Sequence, residues 1–453
     1  MNIPESLSPE RIRQTNGYLR KHQLAPLQTL TPPRPDLGLA VVIPCHNEPD
    51  LESVLAYLWR CVRPACGVEV IVVVNAAPTD APAIHAQNRR TIALAGKWIA
   101  RHRDDRLRFY ILHFPNLPSR HAGVGLARRL GMDEAVARFA AIDNPDDAII
   151  ACLDADCGCD ENYLTALVTH FSSHPKTPGC SIYFEHPLDP ESPHHPALAP
   201  AERAAIAGYE LHLRYYVHGL RYAGSPYAYH TVGSCMAVRA RIYQAQGGMN
   251  RRKAGEDFYF LQKIAGLGNF TQLPHTRVLP SPRLSERVPF GTGQAIRSSL
   301  ARDDIAFTSY APAVFRDLRT LLGRFRDLYA IINSNSLTDG ALTTSLTTGL
   351  PPYVSAFLNA QGFETRCAEI RRNAASPANF EKRFHRWFNA FLTLKFIHFA
   401  TAHSYPKVPV EQGAHTLLQW SESKKSSIEG ENHLPQRETL LLRYRALDRG
   451  EKG

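Results

Sequence analysis

Four short apolar runs rich in β-branched residues alternate with intervals of helical length in the first third of the chain. The runs are LAVVIPCHNE, VEVIVVVNAA, RLRFYILHF and DAIIACLDAD, at residues 39–48, 68–77, 106–114 and 147–156. The intervals at residues 50–60, 84–101 and 123–139 are predicted to hold helices. Because strands that are apolar throughout are buried on both faces, this alternation predicts an α/β fold with a mostly parallel central sheet and helices on both faces.

Polar residues follow three of the four predicted strands, at the point where each strand ends. They are Asn47 and Glu48 after the first strand, Asn75 and Asp80 after the second, and Asp154 and Asp156 after the fourth. In open parallel sheets, ligands bind beyond the carboxyl ends of the strands. The sequence therefore predicts a ligand site at this edge of the sheet.

The stretch ACLDADCGCD, which contains Asp154 and Asp156, allows three interpretations. The two aspartates can cap a turn. At positions i and i+2 of an extended chain their carboxylates point to the same side, which also suits a hard divalent cation with a bound diphosphate. Cys157 and Cys159 raise a thiolate metal site as the third interpretation. No second cysteine pair at zinc-ribbon spacing completes such a site, so we expect both to be small buried apolar side chains.

Two further stretches carry charged residues at predicted helix starts. Gly255-Glu256-Asp257 follows the basic stretch Arg251-Arg252-Lys253, so its acids either complement a helix dipole or supply a general base. The stretch AGVGLARRLGMDEA has a glycine-rich entry before Arg128 and Arg129, which indicates either a phosphate-binding helix start or two exposed arginines.

Composition limits the classes of protein that this chain can represent. At 453 residues and 44% apolar content it can bury a large core, and a net charge of +10 suits anionic ligands. No block of five or six like charges indicates nucleic-acid binding. No apolar run of 18 residues predicts a membrane span. The odd, uneven set of nine cysteines, and the lack of a signal-peptide pattern at MNIPESLSPE, predict a reducing cytoplasm.

Changes in pattern along the chain predict the domain organisation. Residues 1–37 read as an N-terminal arm, residues 38–300 as the α/β domain, and residues 301–453 as a helical C-terminal region. The last prediction rests on a helical apolar face made by Phe315, Leu318, Leu322 and Phe325. Within 38–300, residues 38–160 read as the nucleotide-binding half and 161–300 as the acceptor and catalytic half.

Together these segments resemble the GT-A fold glycosyltransferases, most closely family 2, over roughly residues 38–300. VVIPCHNE resembles the opening strand and Pro-x-x-Asn-Glu turn of the family, and VVVNAAPTD its nucleotide turn. GLARRLGMDEA resembles the Ala-Arg-Asn-x-x-Gly segment, IIACLDADC the Asp-x-Asp strand, and GEDFYFLQKI the Glu-Asp helix entry that follows a Gly-Gly turn.

The resemblance implies a nucleotide-diphospho-sugar donor and a divalent cation, Mn²⁺ or Mg²⁺. It assigns Asp154 to the ribose or the metal, Asp156 to the metal, and Asp257 of the Glu256-Asp257 pair to the general base of an inverting transfer. Residues implied in donor binding are Pro44, Asn47, Glu48, Asn75, Arg128, Asp154 and Arg283. The third metal ligand nearest by type is His275, and Ser285 and Arg287 would join Arg283 in a loop that holds the diphosphate.

Two positions depart from the family pattern. Asn75 replaces the usual aspartate of the nucleotide turn, which puts a uridine donor in doubt. Arg129 replaces the usual asparagine after Arg128 and keeps phosphate binding open.

The predicted function is therefore a metal-dependent glycosyltransferase, with a carbohydrate, a lipid-linked molecule or a small molecule as acceptor. The alternatives are a retaining GT-A transferase of the mannosylglycerate synthase kind, a sugar nucleotidyltransferase, and a non-catalytic nucleotide-sugar binding protein. The aromatic stretch at 208–234 is assigned to the acceptor side. Phe384, Trp387, Phe388 and Phe391, flanked by Lys382, Arg383 and Arg386, either pack in the core or contact the inner face of a membrane.

Overall fold

A computed structural model describes residues 9–142, 147–189, 198–283, 307–325, 328–329, 341–422 and 436–451. The chain divides into two compact units. The first comprises Met1–Ala197, Thr231–Gln294 and Asp448–Gly450, and the second comprises Leu198–His230, Ala295–Leu447 and Glu451–Gly453. Ser285 and Arg287, which were predicted to hold the diphosphate, lie outside the described residues.

In the described part of the chain, the first unit is built on an eight-stranded sheet. Its strands are β1 Leu37–Cys45, β2 Gly67–Asn75, β3 Leu107–Phe114, β4 Ile149–Cys152, β5 Gly158–Cys159, β6 Gly179–Phe184, β7 Met236–Arg239 and β8 Thr271–Leu279. Their order is β3-β2-β1-β4-β7-β6-β8-β5. Strands β3, β2, β1 and β4 pair in parallel, whereas β7 is antiparallel to β4 and β6. The predicted mostly parallel sheet is confirmed.

Helices connect the parallel strands, as the sequence predicts. The helices are α1 Pro9–Thr15, α2 Gly17–His22, α3 Leu51–Arg60, α4 Pro82–Arg101, α5 Val124–Ala140, α6 Tyr163–Ser173, α7 Pro200–Ala223 in the second unit, α8 Ala240–Ala245 and α9 Glu256–Ala265. Helix α3 buries Leu51, Val54, Leu55 and Leu58, the i, i+3, i+4, i+7 stripe of an amphipathic helix. Each parallel connection returns the chain to the same edge of the sheet, so the loops after β1, β2 and β4 lie together.

Helix α5 is buried along almost its whole length because it lies between the sheet and the N-terminal arm. The Glu134 carboxylate accepts hydrogen bonds from the backbone N–H groups of Gln28, at 3.2 Å, and Thr29, at 2.8 Å. The Tyr18 hydroxyl donates to Asp133 Oδ1 at 2.7 Å. Burial raises the pKa of Asp133 to about 6. Each buried acid of α5 therefore has hydrogen-bond donors, as buried polar groups require.

The second unit is helical, as predicted for the C-terminal region. Beside α7 it contains Pro312–Phe325, Ala341–Thr347, Pro352–Ala360, Phe363–Arg372, Pro377–Trp387, Ala390–His403, Val410–Glu422 and most of Arg437–Arg449, with a short antiparallel pair, Thr308–Ser309 and Val408–Pro409. The predicted apolar face of Phe315, Leu318, Leu322 and Phe325 is buried. Within the described ranges, no helix is both long and apolar enough to cross a membrane.

The aromatic face predicted near residue 384 lies mostly in the core of this unit. Phe384 and Phe388 are each 1% exposed, and the ring of Phe384 packs against that of Phe325 with centroids 4.3 Å apart. Phe391 is exposed. Packing, rather than membrane contact, therefore accounts for Phe384 and Phe388.

Candidate active site

Five carboxylates and two arginines meet beyond the carboxyl ends of the parallel strands, and we call this group the acidic cluster. Its acids come from the loops after β1 and β4 and from the start of α9; its arginines come from α5 and from the segment after β8. The members are Glu48, Asp154, Asp156, Glu256, Asp257, Arg128 and Arg283. All seven were predicted site residues.

Arg128 is the centre of one half of the cluster. Its Nη2 lies 2.5 Å from Asp154 Oδ1, and its Nη1 contacts Glu256 Oε1. Only 2% of the Arg128 side chain is exposed. A Cβ at Gly233 would lie 2.6 Å from the Arg128 Cζ, so a glycine is needed for the guanidinium to fit. Arg128 thereby joins the end of β4 to the start of α9.

The two acids at the start of α9 differ in what they contact. Burial raises the pKa of Glu256 to about 7, and Arg128 opposes this rise. Burial also raises the pKa of Asp257, again against Arg128. Asp257 Oδ1 accepts a 2.7 Å hydrogen bond from the Phe258 backbone N–H, and no described side chain donates a hydrogen bond to Asp257. Glu256 is therefore held by Arg128, whereas Asp257 can accept a proton from a bound molecule.

Arg283 is the centre of the other half of the cluster. Its Nη1 lies 3.1 Å from Glu48 Oε1, its Nη2 also contacts Glu48, and the same Nη2 lies 3.0 Å from Asp156 Oδ2. The Glu48 side chain is fully buried, whereas that of Arg283 is 29% exposed. The guanidinium thus neutralises a buried acid while staying in reach of solvent.

Oxygen ligands, not thiolates, are available for a cation here. Burial raises the pKa of the Cys157 thiol well above its ordinary value, which disfavours the thiolate form. Asp154 and Asp156 keep about a third of their side chains exposed, 35% and 29%. Two partly exposed carboxylates fit a hard divalent cation that takes its other ligands from water or phosphate.

The structure does not bring His275 to these aspartates. His275 is exposed on β8, and its backbone carbonyl accepts a 2.8 Å hydrogen bond from the Asn162 side chain. Among the described residues, no group of three or more His, Cys, Asp and Glu side chains is arranged to hold a metal ion. Of the three residues predicted to bind a metal, only Asp154 and Asp156 belong to the acidic cluster.

Sequence reasoning missed Asn88 of α4, which organises the neighbouring turn. Its amide oxygen accepts from the Asn47 backbone N–H, and its amide nitrogen donates to the Asn75 carbonyl, both at 2.9 Å. Asn47 has a φ of 50°, a left-handed conformation that asparagine tolerates well. The signal for Asn88 was its spacing of three and seven positions from Thr91 and Ala95, which places all three residues on the buried face of α4.

The predicted donor-binding residues around this turn lie in the framework of the two strands. Pro44 is buried in β1 opposite Val73. The Asn75 side chain donates to the Cys45 carbonyl at 3.1 Å, which ties the end of β2 to the end of β1. Asp80 accepts a 2.8 Å hydrogen bond from the Ala77 backbone N–H and so closes its own turn.

The sequence kept phosphate binding by Arg129 open, but the side chain of Arg129 points into the protein. Its Nη1 donates to the Met249 carbonyl at 2.7 Å, and its Nη2 donates to the His22 carbonyl at 3.1 Å. The side chain is buried. Its charge therefore holds the turn at Gly247-Gly248 and the N-terminal arm and does not face the acidic cluster.

Gly125 provides a test of how α5 positions the acids of α9. A Cβ at Gly125 would overlap the Arg252 carbonyl oxygen and lie 3.0 Å from Glu256 Cβ. Overpacking of this kind typically costs about 1–3 kcal/mol, so Gly125→Ala is expected to lower the free energy of unfolding by that amount in urea denaturation. The displaced acids should also reduce catalytic turnover.

The matched control is Gly96→Ala on α4, because a Cβ there meets nothing within 4 Å. Alanine in an exposed helix interior should stabilise the protein by roughly 0.5–1 kcal/mol. Equal effects of the two substitutions would contradict the close packing of α5 against the loop before α9.

Comparison with known proteins identifies this region. The model of the family described as Glycosyl transferase family 2 matches residues 40–245. No curated protein matches the chain. Among solved structures, TarS 1–349 of S. aureus in complex with UDP-GlcNAc shares 12% identity, with 76% of this chain and 89% of that chain covered and a TM-score of 0.39. Glucosyl-3-phosphoglycerate synthase from Mycobacterium tuberculosis, in complex with UDP, shares 13% identity, with 67% and 88% covered and a TM-score of 0.31. The family match includes Arg128 and both aspartates that follow β4, and it identifies residues 40–245 as a glycosyltransferase family 2 domain.

Proposed function

We propose that the protein transfers a sugar from a nucleotide-diphospho-sugar donor to an acceptor hydroxyl, with inversion at the anomeric carbon. One observation supports this most: Arg128 joins Asp154, at the end of β4, to Glu256, at the start of α9. That contact brings the predicted donor-binding carboxylates beside Asp257. The proposed catalytic region is residues 38–300, which contain the family match and the whole acidic cluster.

In the proposed reaction, Asp257 accepts the proton of the acceptor hydroxyl as its oxygen attacks the anomeric carbon. The new C–O bond forms on the face opposite the diphosphate, and the electrons of the breaking glycosidic bond leave with the nucleoside diphosphate. The raised pKa of Asp257 suits this role, because a general base works best when its pKa lies nearer the working pH. Glu256, held by Arg128, is a positioning residue.

A divalent cation, Mn²⁺ or Mg²⁺, would be held by Asp154 and Asp156. When bound, it would supply charge stabilisation to the leaving diphosphate. Arg283 is the proposed diphosphate contact on the protein side, because it is the partly exposed cation of the cluster. The acceptor, the assignment of residues 208–234 to its binding, a cytoplasmic location and contact with a membrane stay predictions.

Arg283 and the cation should compete for Asp156. Two like unit charges about 4 Å apart repel each other by roughly 1 kcal/mol even in a water-like medium. The repulsion between the Arg283 guanidinium and a divalent ion is twice as large. In the absence of nucleotide, Arg283→Gln is therefore expected to bind Mn²⁺ at least about tenfold more tightly than the wild-type protein, and Asp156→Asn more weakly. Electron paramagnetic resonance of free Mn²⁺ measures both affinities.

The control for this measurement is Arg90→Gln, which removes the same charge from the exposed side of α4. It should leave the Mn²⁺ affinity unchanged. If Arg283→Gln and Arg90→Gln bind Mn²⁺ equally, the cation is not held at Asp156.

A panel of nucleotide sugars tests the proposed function directly. Each donor is incubated with the protein and Mn²⁺, and the released nucleoside diphosphate is quantified. The expected result is that the protein hydrolyses at least one donor. This hydrolysis should require the cation and should be lost in Asp156→Asn. Release of pyrophosphate, or binding without release of any product, would contradict the proposal.

A further inference from the structure

The helical unit carries a second candidate binding site that the proposed reaction does not use. It is a groove of about 420 Å³ between the helices Phe363–Arg372 and Pro377–Trp387. Its lining residues are Arg366, Glu369, Ile370, Asn373, Arg383, Arg386, Trp387 and Asn389. We call it the arginine groove. Three arginines against one glutamate make its surface positive.

In the part of the chain that the structure describes, two of the three arginines have no ion-pair partner. Arg366 pairs with Glu369 at 2.6 Å, an i, i+3 contact on one helix. Arg383 and Arg386 are exposed, and neither forms an ion pair within the described residues. Two guanidiniums three positions apart on one helix face can donate planar, paired hydrogen bonds to a phosphate or carboxylate.

Trp387 gives the groove an apolar wall. Its ring packs against Phe384, with centroids 5.4 Å apart, and against Phe363, at 5.9 Å, which fixes its orientation on the core. The side chain is only half-buried, and Ile370 lines the groove beside it. A fixed indole beside hydrogen-bonding side chains suits stacking on the apolar face of a sugar ring.

We propose that the arginine groove binds an anionic saccharide, a sugar that carries a phosphate or carboxylate group. Carbohydrate is the class that combines a stackable ring with hydroxyls, and the unpaired Arg383 and Arg386 select for a negative charge. This binding needs neither donor nor cation, so it can be tested without turnover. If no saccharide binds in the groove, the proposed glycosyl transfer is unaffected. If glycosyl transfer is not observed, the proposed binding in the groove is unaffected.

The test uses the full chain labelled with 5-fluorotryptophan. The chain contains four tryptophans, so fluorine NMR should give four resonances, of which Trp387→Phe identifies one. Glucose 6-phosphate and glucuronic acid are titrated as probes, with glucose, inorganic phosphate and AMP as comparisons. The expected result is that both anionic sugars shift the Trp387 resonance, whereas each comparison compound binds at least about tenfold more weakly.

Substitutions then test the two arginines. Arg383→Gln/Arg386→Gln should weaken binding of glucose 6-phosphate by at least about tenfold, because charge-assisted hydrogen bonds are lost. The control variant Arg89→Gln/Arg90→Gln removes the same charge from α4 and should leave the affinity for glucose 6-phosphate unchanged. The proposal is overturned if neither anionic sugar shifts the resonance, if phosphate or AMP binds as tightly, or if both double variants behave alike.

Discussion

Asp257→Asn is expected to lower kcat by roughly 10²- to 10⁴-fold, the range that a general base contributes. The amide keeps the shape of the side chain but cannot accept the proton of the acceptor. No described side chain donates a hydrogen bond to Asp257, so the loss should not come from a broken network. Donor binding, measured by calorimetry, should stay within about twofold of the wild-type value.

The matched control is Asp105→Asn, which makes the same change in a residue that is 84% exposed in the same unit. It should leave kcat unchanged. A loss of donor affinity in Asp257→Asn that accounts for the whole loss of activity would show that Asp257 binds the donor and is not the base.

The pH dependence follows from the same geometry. Burial raises the pKa of Asp257, and the base works only when deprotonated, so activity should fall as the pH drops through that raised value. The acid limb of kcat/KM should therefore lie above the ordinary range of an aspartate. Because Glu256 and Asp154 interact with Asp257, the measured value belongs to the group of carboxylates.

Arg128→Met is expected to cause the largest loss of stability in the first unit. Removing one partner of a buried ion pair typically costs about 3–5 kcal/mol, since the remaining charges stay buried without compensation. Glu256 would lose its contact entirely, whereas Asp154, 35% exposed on its side chain, would regain some water. We therefore expect Arg128→Met to lower the free energy of unfolding, measured by urea denaturation at neutral pH, by about 3 kcal/mol.

This loss should depend on pH in a defined direction. Without Arg128, the pKa of Glu256 in the folded protein rises further above its value in the unfolded chain. Such a group favours the folded state at low pH and ceases to do so as the pH rises through the folded pKa. The loss in free energy of unfolding caused by Arg128→Met should thus be smaller at about pH 5 than at about pH 8.

The double variant Arg128→Met/Glu256→Gln separates charge from packing. Replacing the uncompensated carboxylate by an amide should recover part of the lost stability, and the pH dependence should become weaker. If the double variant is as unstable as the sum of the single variants predicts, the two side chains do not interact as described.

The sheet and the position of the acids were predictable because they depend on local pattern. Continuous apolar runs rich in β-branched residues at 39–43 and 70–74 leave few alternatives to buried parallel strands, and strand ends then place Asp154 and Asp156 at one edge. The pairing of Arg128 with Asp154 and Glu256 was not predictable. Its partner Glu256 is 128 positions away, and nothing local distinguishes Arg128 from Arg129.

Arg129 shows why tertiary structure decides such cases. Consecutive residues on a helix point about 100° apart, so two adjacent arginines serve different surroundings. One contacts the acidic cluster, and the other donates to carbonyls of the Gly-Gly turn and the N-terminal arm. Likewise, residues 208–230 were predicted to belong to the α/β domain but pack in the helical unit, because the contacts of α7 are with helices distant in the chain.

The anomeric configuration of the released sugar tests the central claim most directly. An α-linked nucleotide sugar that the protein hydrolyses in the presence of Mn²⁺ is followed by proton NMR before the free sugar equilibrates. If Asp257 activates the attacking oxygen on the face opposite the diphosphate, the first sugar released is the β anomer, and Asp257→Asn releases none. Initial release of the α anomer would contradict an inverting reaction with Asp257 as its base.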